Sequence, residues 1–307
     1  MDSRKTLDAT SIGMMVVLCL IWGLTQVVLK VAAADITPLM QIALRSGIAA
    51  LLVALLMLAR KERLAIADGT WKPGLLVGGL FALEFLLVGE GLRFTTASHM
   101  AVFLYTAPIF AALGLHWLMP SERLGKIQWA GIGLAFSGIA ITFLARGNVV
   151  PAIDAANMLL GDLLAVAAGM AWGATTVAVR CSKLARVSAA QTLVYQLTGA
   201  FVLLIIAAGL LDQTAIRWTA IAWASLLFQS VVVCFASYLA WFWLLRYYMA
   251  SQLGVFSFLT PLFGVAFGVW LLNEPLEPSF VIGAVLVLTG IVMVSGHGWI
   301  KAQITRK

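Results

Sequence analysis

The feature that most constrains this chain is a succession of apolar runs, each about as long as a bilayer is thick. Ten run roughly over residues 11–33, 37–59, 73–92, 98–118, 126–145, 158–180, 187–211, 219–244, 250–272 and 279–298. A helical crossing takes about 20 apolar residues. The runs are continuous rather than alternating, which argues against a barrel of strands. With 62% hydrophobic and 11% charged residues, the chain is far from a soluble domain or a disordered one. Short connectors make successive helices antiparallel neighbours. The expected fold is an all-α integral membrane protein of ten transmembrane helices. The first run carries Trp22, Gln26 and Lys30 and is longer than a signal-peptide core, so cleavage after Ala32, Ala33 and Ala34 is not expected.

The net charge of +7 invites a nucleic-acid reading, but the charges lie in short loops. With the N-terminus in the cytoplasm, that side holds Arg4, Lys5, Arg60, Lys61, Arg63, Lys72, Arg123, Lys126, Arg180, Lys183, Arg186, Arg246, Lys301, Arg306 and Lys307. The other side holds Arg93, Arg146 and Arg217. Positive loops stay cytoplasmic, so both termini are expected there, and topology accounts for the charge without nucleic acid. Cys19, Cys181 and Cys234 make no pair at redox or metal spacing. No metal or cofactor is expected.

The two halves resemble each other. Trp22 and Gly23 recur as Trp172 and Gly173, and Gln41 as Gln191. LRFTTAS (92–98) parallels LRYYMAS (245–251), Pro108 parallels Pro261, Glu122 parallels Glu274, and SGI (137–139) parallels TGI (289–291). The offset stays between 150 and 153 residues. Five crossings is an odd number, so the second unit enters from the opposite face. Two inverted-topology five-helix repeats, 1–150 and 151–307, are expected around a central cavity, an architecture of secondary transporters.

On LIWGLTQVVLK (20–30), on Leu92 to Leu124 with its PSERL, and on Leu245 to Leu276 with its NEPL, the chain resembles the EamA-type branch of the drug/metabolite transporter superfamily. Within it, the chain is most similar to bacterial exporters of aromatic and other neutral amino acids. The resemblance implies ten helices, a central cavity, alternating access and export of small metabolites across the bacterial inner membrane. Amphipathic drugs and nucleoside-like compounds are the alternative cargoes. Arginine on the second helix is common across the wider family and does not single out the amino-acid exporters.

Polar residues inside lipid face a bundle interior or a cavity. Trp22, Gln26 and Lys30 share one face of the first helix. Gln41 and Arg45 sit one turn apart on the second, and Gln191 and Tyr195 repeat that spacing on the seventh. Asp162, Gly169, Gly173 and Thr176 form a stripe on the sixth beside Trp172; Ser230, Cys234, Ser237 and Trp241 form one on the eighth. The expected substrate contacts are Trp22, Gln26, Gln41, Arg45, Glu84, Tyr105, Trp172, Thr176 and Tyr195. Arg45 reads either as an ion-pair partner of Glu84, Glu90 or Asp162 or as an anchor for a substrate carboxylate. Glu84, near mid-span, reads as a contact for Arg45, an amine or a proton; Glu90 and Asp162 lie nearer span ends and reach water. Pro108 and Pro261 remove donors from helix interiors and read as paired hinges or as static kinks. GxxxG pairs at Gly74/Gly78, Gly169/Gly173 and Gly264/Gly268 are expected to pack within one chain, leaving a monomer.

Phosphate loops, HExxH and GxSxG are absent from the sequence, so neither ATP hydrolysis by this chain nor an enzyme of those classes is expected. An intramembrane enzyme would have to use His99 with a nearby serine. The remaining partners are the lipid bilayer and a small-molecule substrate.

The charge distribution generates the first prediction. In a cysteine-free background, a cysteine placed at residue 65 escapes a membrane-impermeant thiol reagent in intact cells, whereas one at residue 148 is labelled. Labelling at 65 but not at 148 would reverse the orientation.

Overall fold

The computed structural model describes residues 8–62, 69–120, 123–144, 152–248, 253 and 256–304. Arg4, Lys5, Arg63, Glu122, Arg146, Arg306 and Lys307, named above, lie outside them. Helices α1 (Ala9–Val31), α2 (Pro38–Ala59), α3 (Trp71–Gly91), α4 (Ala97–Leu104), α5 (Ala107–Leu118) and α6 (Lys126–Leu144) are followed by α7 (Ala152–Arg180), α8 (Ala189–Leu210) and α9 (Ala220–Leu227). A π-helical segment, Phe228–Ser237, leads from α9 into α10 (Tyr238–Tyr247); α11 (Leu259–Leu272) and α12 (Pro278–Ile304) complete the chain. Among the described residues there is no strand, only an isolated antiparallel bridge between Ile36 and Ile216.

Polar caps set the helix starts. The Asp8 carboxylate accepts from the Ser11 N–H ahead of α1, and Thr37, Thr96, Ser188 and Thr219 each accept from a first-turn N–H of α2, α4, α8 and α9. At the other end, α11 stops at Asn273, which adopts a left-handed φ of 53°.

Seven segments are long and apolar enough to cross a membrane, counting α4–α5 as one and Ala220–Trp241 as another; Leu259–Leu272 and Pro278–Val294 are shorter apolar helices. The distribution of side chains is that of a membrane protein turned to lipid. Leu51, Leu58, Leu75, Trp117, Leu210 and Trp270 are exposed, while Arg45, Glu84, Asp162, His99, Gln41 and Gln229 are buried. Apolar exteriors of this extent do not persist in water. This is a multi-pass membrane protein.

The helices pack as α1 on α11, α2 on α8, α3 on α7 and α8, α4 on α11, α5 on α7 and α6 on α12. Two contacts recur in both halves. A side chain at Gly23 would meet the Phe263 Cβ at 2.8 Å, the Gly264 nitrogen at 2.9 Å and the Thr260 carbonyl at 3.0 Å. One at Gly173 would meet the Phe110 Cβ, the Ala111 nitrogen and the Ala107 carbonyl at 2.7, 2.9 and 2.9 Å. Adding 153 to the second set of positions gives the first. Likewise Gly131 abuts Gly290 while Gly138 abuts Gly283. The GxxxG faces are all used inside the chain: Gly74 meets Tyr195, Gly169 meets Thr106, and Gly264 meets Ala101.

The prolines sit differently from the expectation of a helix interior. The fourth apolar run is broken at Tyr105 and Thr106, and Pro108 lies in the first turn of α5. Pro261 occupies the first turn of α11, after a turn at Ser257 and Phe258. A first-turn N–H has no intrahelical acceptor, so neither proline removes a hydrogen bond.

Gly173→Val is expected to cost at least about 1–3 kcal/mol, because the new atoms meet backbone that cannot yield. Gly209→Ala, with nothing within 4 Å of the new Cβ, should be tolerated. Thermal unfolding in detergent compares them, and equal midpoints would contradict the close α5–α7 packing.

Candidate functional site

A cavity of about 380 Å³ lies between the halves. Helix α1 brings Trp22, Thr25 and Gln26; α2 brings Arg45; α3 brings Phe81, Glu84 and Phe85. From the helix break come Leu104, Tyr105 and Pro108, and from α7 comes Trp172. Leu193 and Gln196 of α8, Val233 of the π segment, Tyr238 and Trp241 of α10 and Ser257 close it.

Its aromatic walls are fixed by one another. Trp22 meets Trp241 edge-on at 5.7 Å between ring centroids and donates from Nε1 to the Ser237 hydroxyl at 2.8 Å. Tyr105 meets Trp172 at 5.3 Å, nearly perpendicular. These are favourable arrangements for aromatic rings, and they hold Trp22 and Trp172 on the cavity wall from the two matched positions.

Arg45 is 2% exposed and forms no ion pair with Glu84, Glu90 or Asp162, contrary to one expectation. Instead its Nη1 donates to the Gln229 Oε1 at 2.5 Å, and its guanidinium lies 4.6 Å from the Phe85 ring centroid. Gln229 is in turn held by its Nε2, which donates to the Thr25 carbonyl at 3.0 Å. Glu84 is 4% exposed, and its Oε2 has no hydrogen-bond partner. The other two acids are engaged elsewhere. Glu90 accepts from Arg93 at 2.6 Å and from Gln213 at 2.5 Å. Asp162, expected near water, is fully buried; it meets the His99 Nδ1 at 2.9 Å and accepts from the Thr95 hydroxyl.

Of the other expected contacts, three lie outside the cavity. Gln41 donates to the Leu29 and Ile36 carbonyls and accepts from Ser225, tying α1 to α2 and α9. Thr176 returns its hydroxyl to the Trp172 carbonyl. Tyr195 packs on Gly74 and shares a 3.1 Å hydrogen bond with Thr70. The Asp162–Thr176 stripe faces α4 and α5, so on α7 it is Trp172 that reaches the cavity. Of the sulfur- and hydroxyl-bearing stripe on the eighth span, Trp241 lines the cavity and Ser237 orients Trp22. Gln196, Tyr238 and Ser257 were not expected on the cavity wall, nor Gln229 behind it as the partner of Arg45.

One turn beyond Gln26, Lys30 leaves the cavity. Its Nζ donates to the Thr95 carbonyl at 2.7 Å and lies 3.8 Å from Glu274. The Glu274 carboxylate accepts from the N–H groups of Ala97 and Ser98, at 2.7 and 2.9 Å, and from the Ser98 hydroxyl at 2.7 Å. Residues 95–99 therefore tie α1, α7 and the end of α11 to the first turn of α4. A second pocket, of about 460 Å³, lies on the far side, bordered by Lys30, Arg93, Gln213 and Glu274. No cluster of three or more potential metal ligands occurs among the described residues.

Sequence comparison names the family to which this arrangement of a broken helix, a lined cavity and buried polar groups belongs. The EamA-like transporter family model matches residues 9–144 and again 159–296. The chain belongs to this family. It is 29% identical over 304 residues to the uncharacterized transporter YvbV of Bacillus subtilis, covering 97% of this chain and 94% of that one. It is 27% identical over 294 residues to a probable amino-acid metabolite efflux pump of Escherichia coli, covering 92% and 94%. A crystal structure at 21% identity superposes with a TM-score of 0.63 over 93% of this chain and 97% of its own, which bears on the fold alone. The EamA family and these relatives are transporters by description, not enzymes.

Asp162→Ala leaves His99 and Thr95 without their buried acceptor and is expected to cost about 3–5 kcal/mol. Glu90→Ala, which breaks a partly exposed pair with Arg93 and frees the Gln213 amide at the bundle's edge, should cost less, about 1–2 kcal/mol. Thermal unfolding of the two variants in detergent checks the order; an equal loss would mean that the His99–Asp162 contact carries no special weight.

Proposed function

We propose that this chain is a secondary exporter of neutral and aromatic amino acids that works by alternating access. The observation that carries the proposal is the cavity, which combines tryptophan and tyrosine walls with Arg45, Glu84 and Gln26 in the middle of an apolar bundle. A volume of about 380 Å³ is at the small end of ligand pockets. The description of the Escherichia coli relative as a probable amino-acid metabolite efflux pump supports the substrate class. Amphipathic drugs and nucleoside-like compounds are the alternative cargoes.

In this reading ten crossings form two inverted five-helix repeats, 1–150 and 151–307. Support comes from the double family match and from the contacts of Gly23 and Gly173, which recur at a constant offset. The reciprocal contacts of Gly131 with Gly290 and Gly138 with Gly283 support a two-fold relation between α6 and α12. Both termini face the cytoplasm of a bacterial inner membrane, as the charge distribution favours. Packing of the GxxxG faces within the chain favours a monomer.

Trp22, Gln26, Arg45, Glu84, Tyr105 and Trp172 are the substrate contacts. Pro108 and Pro261, each just past a helix break, serve as hinges: the breaks let the short α4 move against α5, and α11 against the residues before it. Transport would then pass through release of the 95–99 turn from Lys30, Glu274 and Asp162. Broken helices of this kind form midplane sites in several transporter folds.

Purified protein in proteoliposomes tests the reading. Counterflow of phenylalanine, tryptophan and leucine is expected, and Trp22→Phe and Trp172→Phe, which keep an aromatic ring in place, should each reduce it about threefold or more while the protein stays folded. An imposed proton gradient separates uniport from proton exchange. Counterflow of nucleosides or amphipathic cations without amino acids would transfer the proposal to those cargoes. Normal transport by both tryptophan variants would remove the aromatic wall from the mechanism.

A further inference from the structure

The central cavity is bordered by two ionisable side chains of opposite sign that no hydrogen bond or ion pair joins. A charge in a bilayer interior is expensive and ordinarily pairs with another. Arg45 and Glu84, on neighbouring helices and lining the same space, do not join: Arg45 turns to Gln229 and the Phe85 ring, and its Nε has no acceptor. Glu84 keeps an oxygen without a donor. Both side chains are more than nine-tenths buried.

The placement of Arg45 is constructed rather than incidental. Gln229 reaches it from the π-helical segment Phe228–Ser237, a wider winding found mostly in short stretches and frequently at functional sites. The two bonds of Gln229 fix its amide in one sense: the oxygen must accept from Arg45, and the nitrogen must donate to the Thr25 carbonyl. The guanidinium is thereby oriented and given a neutral hydrogen-bond partner; Glu84 on the neighbouring helix is near enough to act on it electrostatically but makes no ion pair with it.

Resting on the transport reading above, we infer that the cavity is a two-point clamp for a zwitterion: an α-amino acid with an apolar or aromatic side chain, its carboxylate held by the Arg45 guanidinium that Gln229 positions and its ammonium by the Glu84 carboxylate. The chemistry closes on itself. A zwitterion has no net charge, so the loaded site carries no more charge through the bilayer than the empty one. Each end of the ligand supplies what one protein group lacks. The edge-paired rings of Trp22 with Trp241 and of Tyr105 with Trp172 leave an aromatic surface for the side chain. A ligand with only one charged end leaves either Arg45 or Glu84 uncompensated, and sites built around such groups reject such analogues strongly.

The test uses the full chain in lipid nanodiscs and three probes: phenylalanine, phenethylamine, which lacks the carboxylate, and 3-phenylpropionate, which lacks the ammonium. Calorimetry is expected to show phenylalanine bound at least about tenfold more tightly than either analogue, the least that losing one charge-assisted hydrogen bond implies. Gln229→Leu should weaken phenylalanine and phenylpropionate about tenfold and leave phenethylamine unchanged. Glu84→Gln should weaken phenylalanine and phenethylamine and leave phenylpropionate unchanged. Should Glu84→Gln fail to fold, the double variant Glu84→Gln with Arg45→Gln removes both charges and should bind the three probes alike. Equal affinities in the wild-type protein, or variants that weaken all three probes equally, would overturn the clamp while leaving amino-acid transport standing. Binding of no probe, together with no amino-acid counterflow, would remove the transport reading and the clamp with it.

Discussion

Inside a bilayer a polar group has no water to turn to, and this constraint organises the molecule. Three acids outside the cavity have specific partners. Asp162 has His99 and Thr95, Glu274 has the first turn of α4 and Lys30, and Glu90 has Arg93 and Gln213. Each set of partners includes a segment distant in the chain. At the cavity itself the pattern changes. Arg45 is met by a neutral amide, and Glu84 retains an oxygen with no donor. In the proposed transport cycle, it is the groups at the cavity that the substrate completes.

Close packing supplies the rest. Lipid tails are as apolar as leucine, so helices in a membrane associate through shape rather than exclusion from water. Backbone contact at Gly23, Gly173, Gly131 and Gly138 brings the helix pairs α1–α11, α5–α7 and α6–α12 together without side chains between them. The breaks at residues 105–106 and 257–258 fall where those pairs pass the cavity. A continuous helix there would leave no point at which, in the proposed cycle, α4 could move separately from α5.

The all-helical, multi-pass character and the polar faces were legible in the sequence because each rests on local pattern: run length and helical spacing. Six of the nine expected substrate contacts line the cavity for that reason. Gln41, Thr176 and Tyr195 do not, because a polar residue in an apolar helix is equally well satisfied by a neighbouring backbone carbonyl or a loop, and spacing does not distinguish the two. Gln229 escaped for a different cause. The π winding changes which residues share a face, so α-helical spacing follows Ser230 and Cys234 and passes over it. The prolines were placed correctly in the chain but misread locally, since a break two residues earlier converts an interior position into a first-turn one.

The central claim is that the cavity communicates with both sides of the membrane in turn. A single cysteine at Gln196, on the cavity wall, in a background without Cys19, Cys181 and Cys234, tests it most directly. The protein is reconstituted in one orientation, and a membrane-impermeant thiol reagent is applied from either side. The account predicts labelling from both sides, slowed in each case by saturating phenylalanine. Labelling from one side only, at a rate indifferent to phenylalanine, would contradict it.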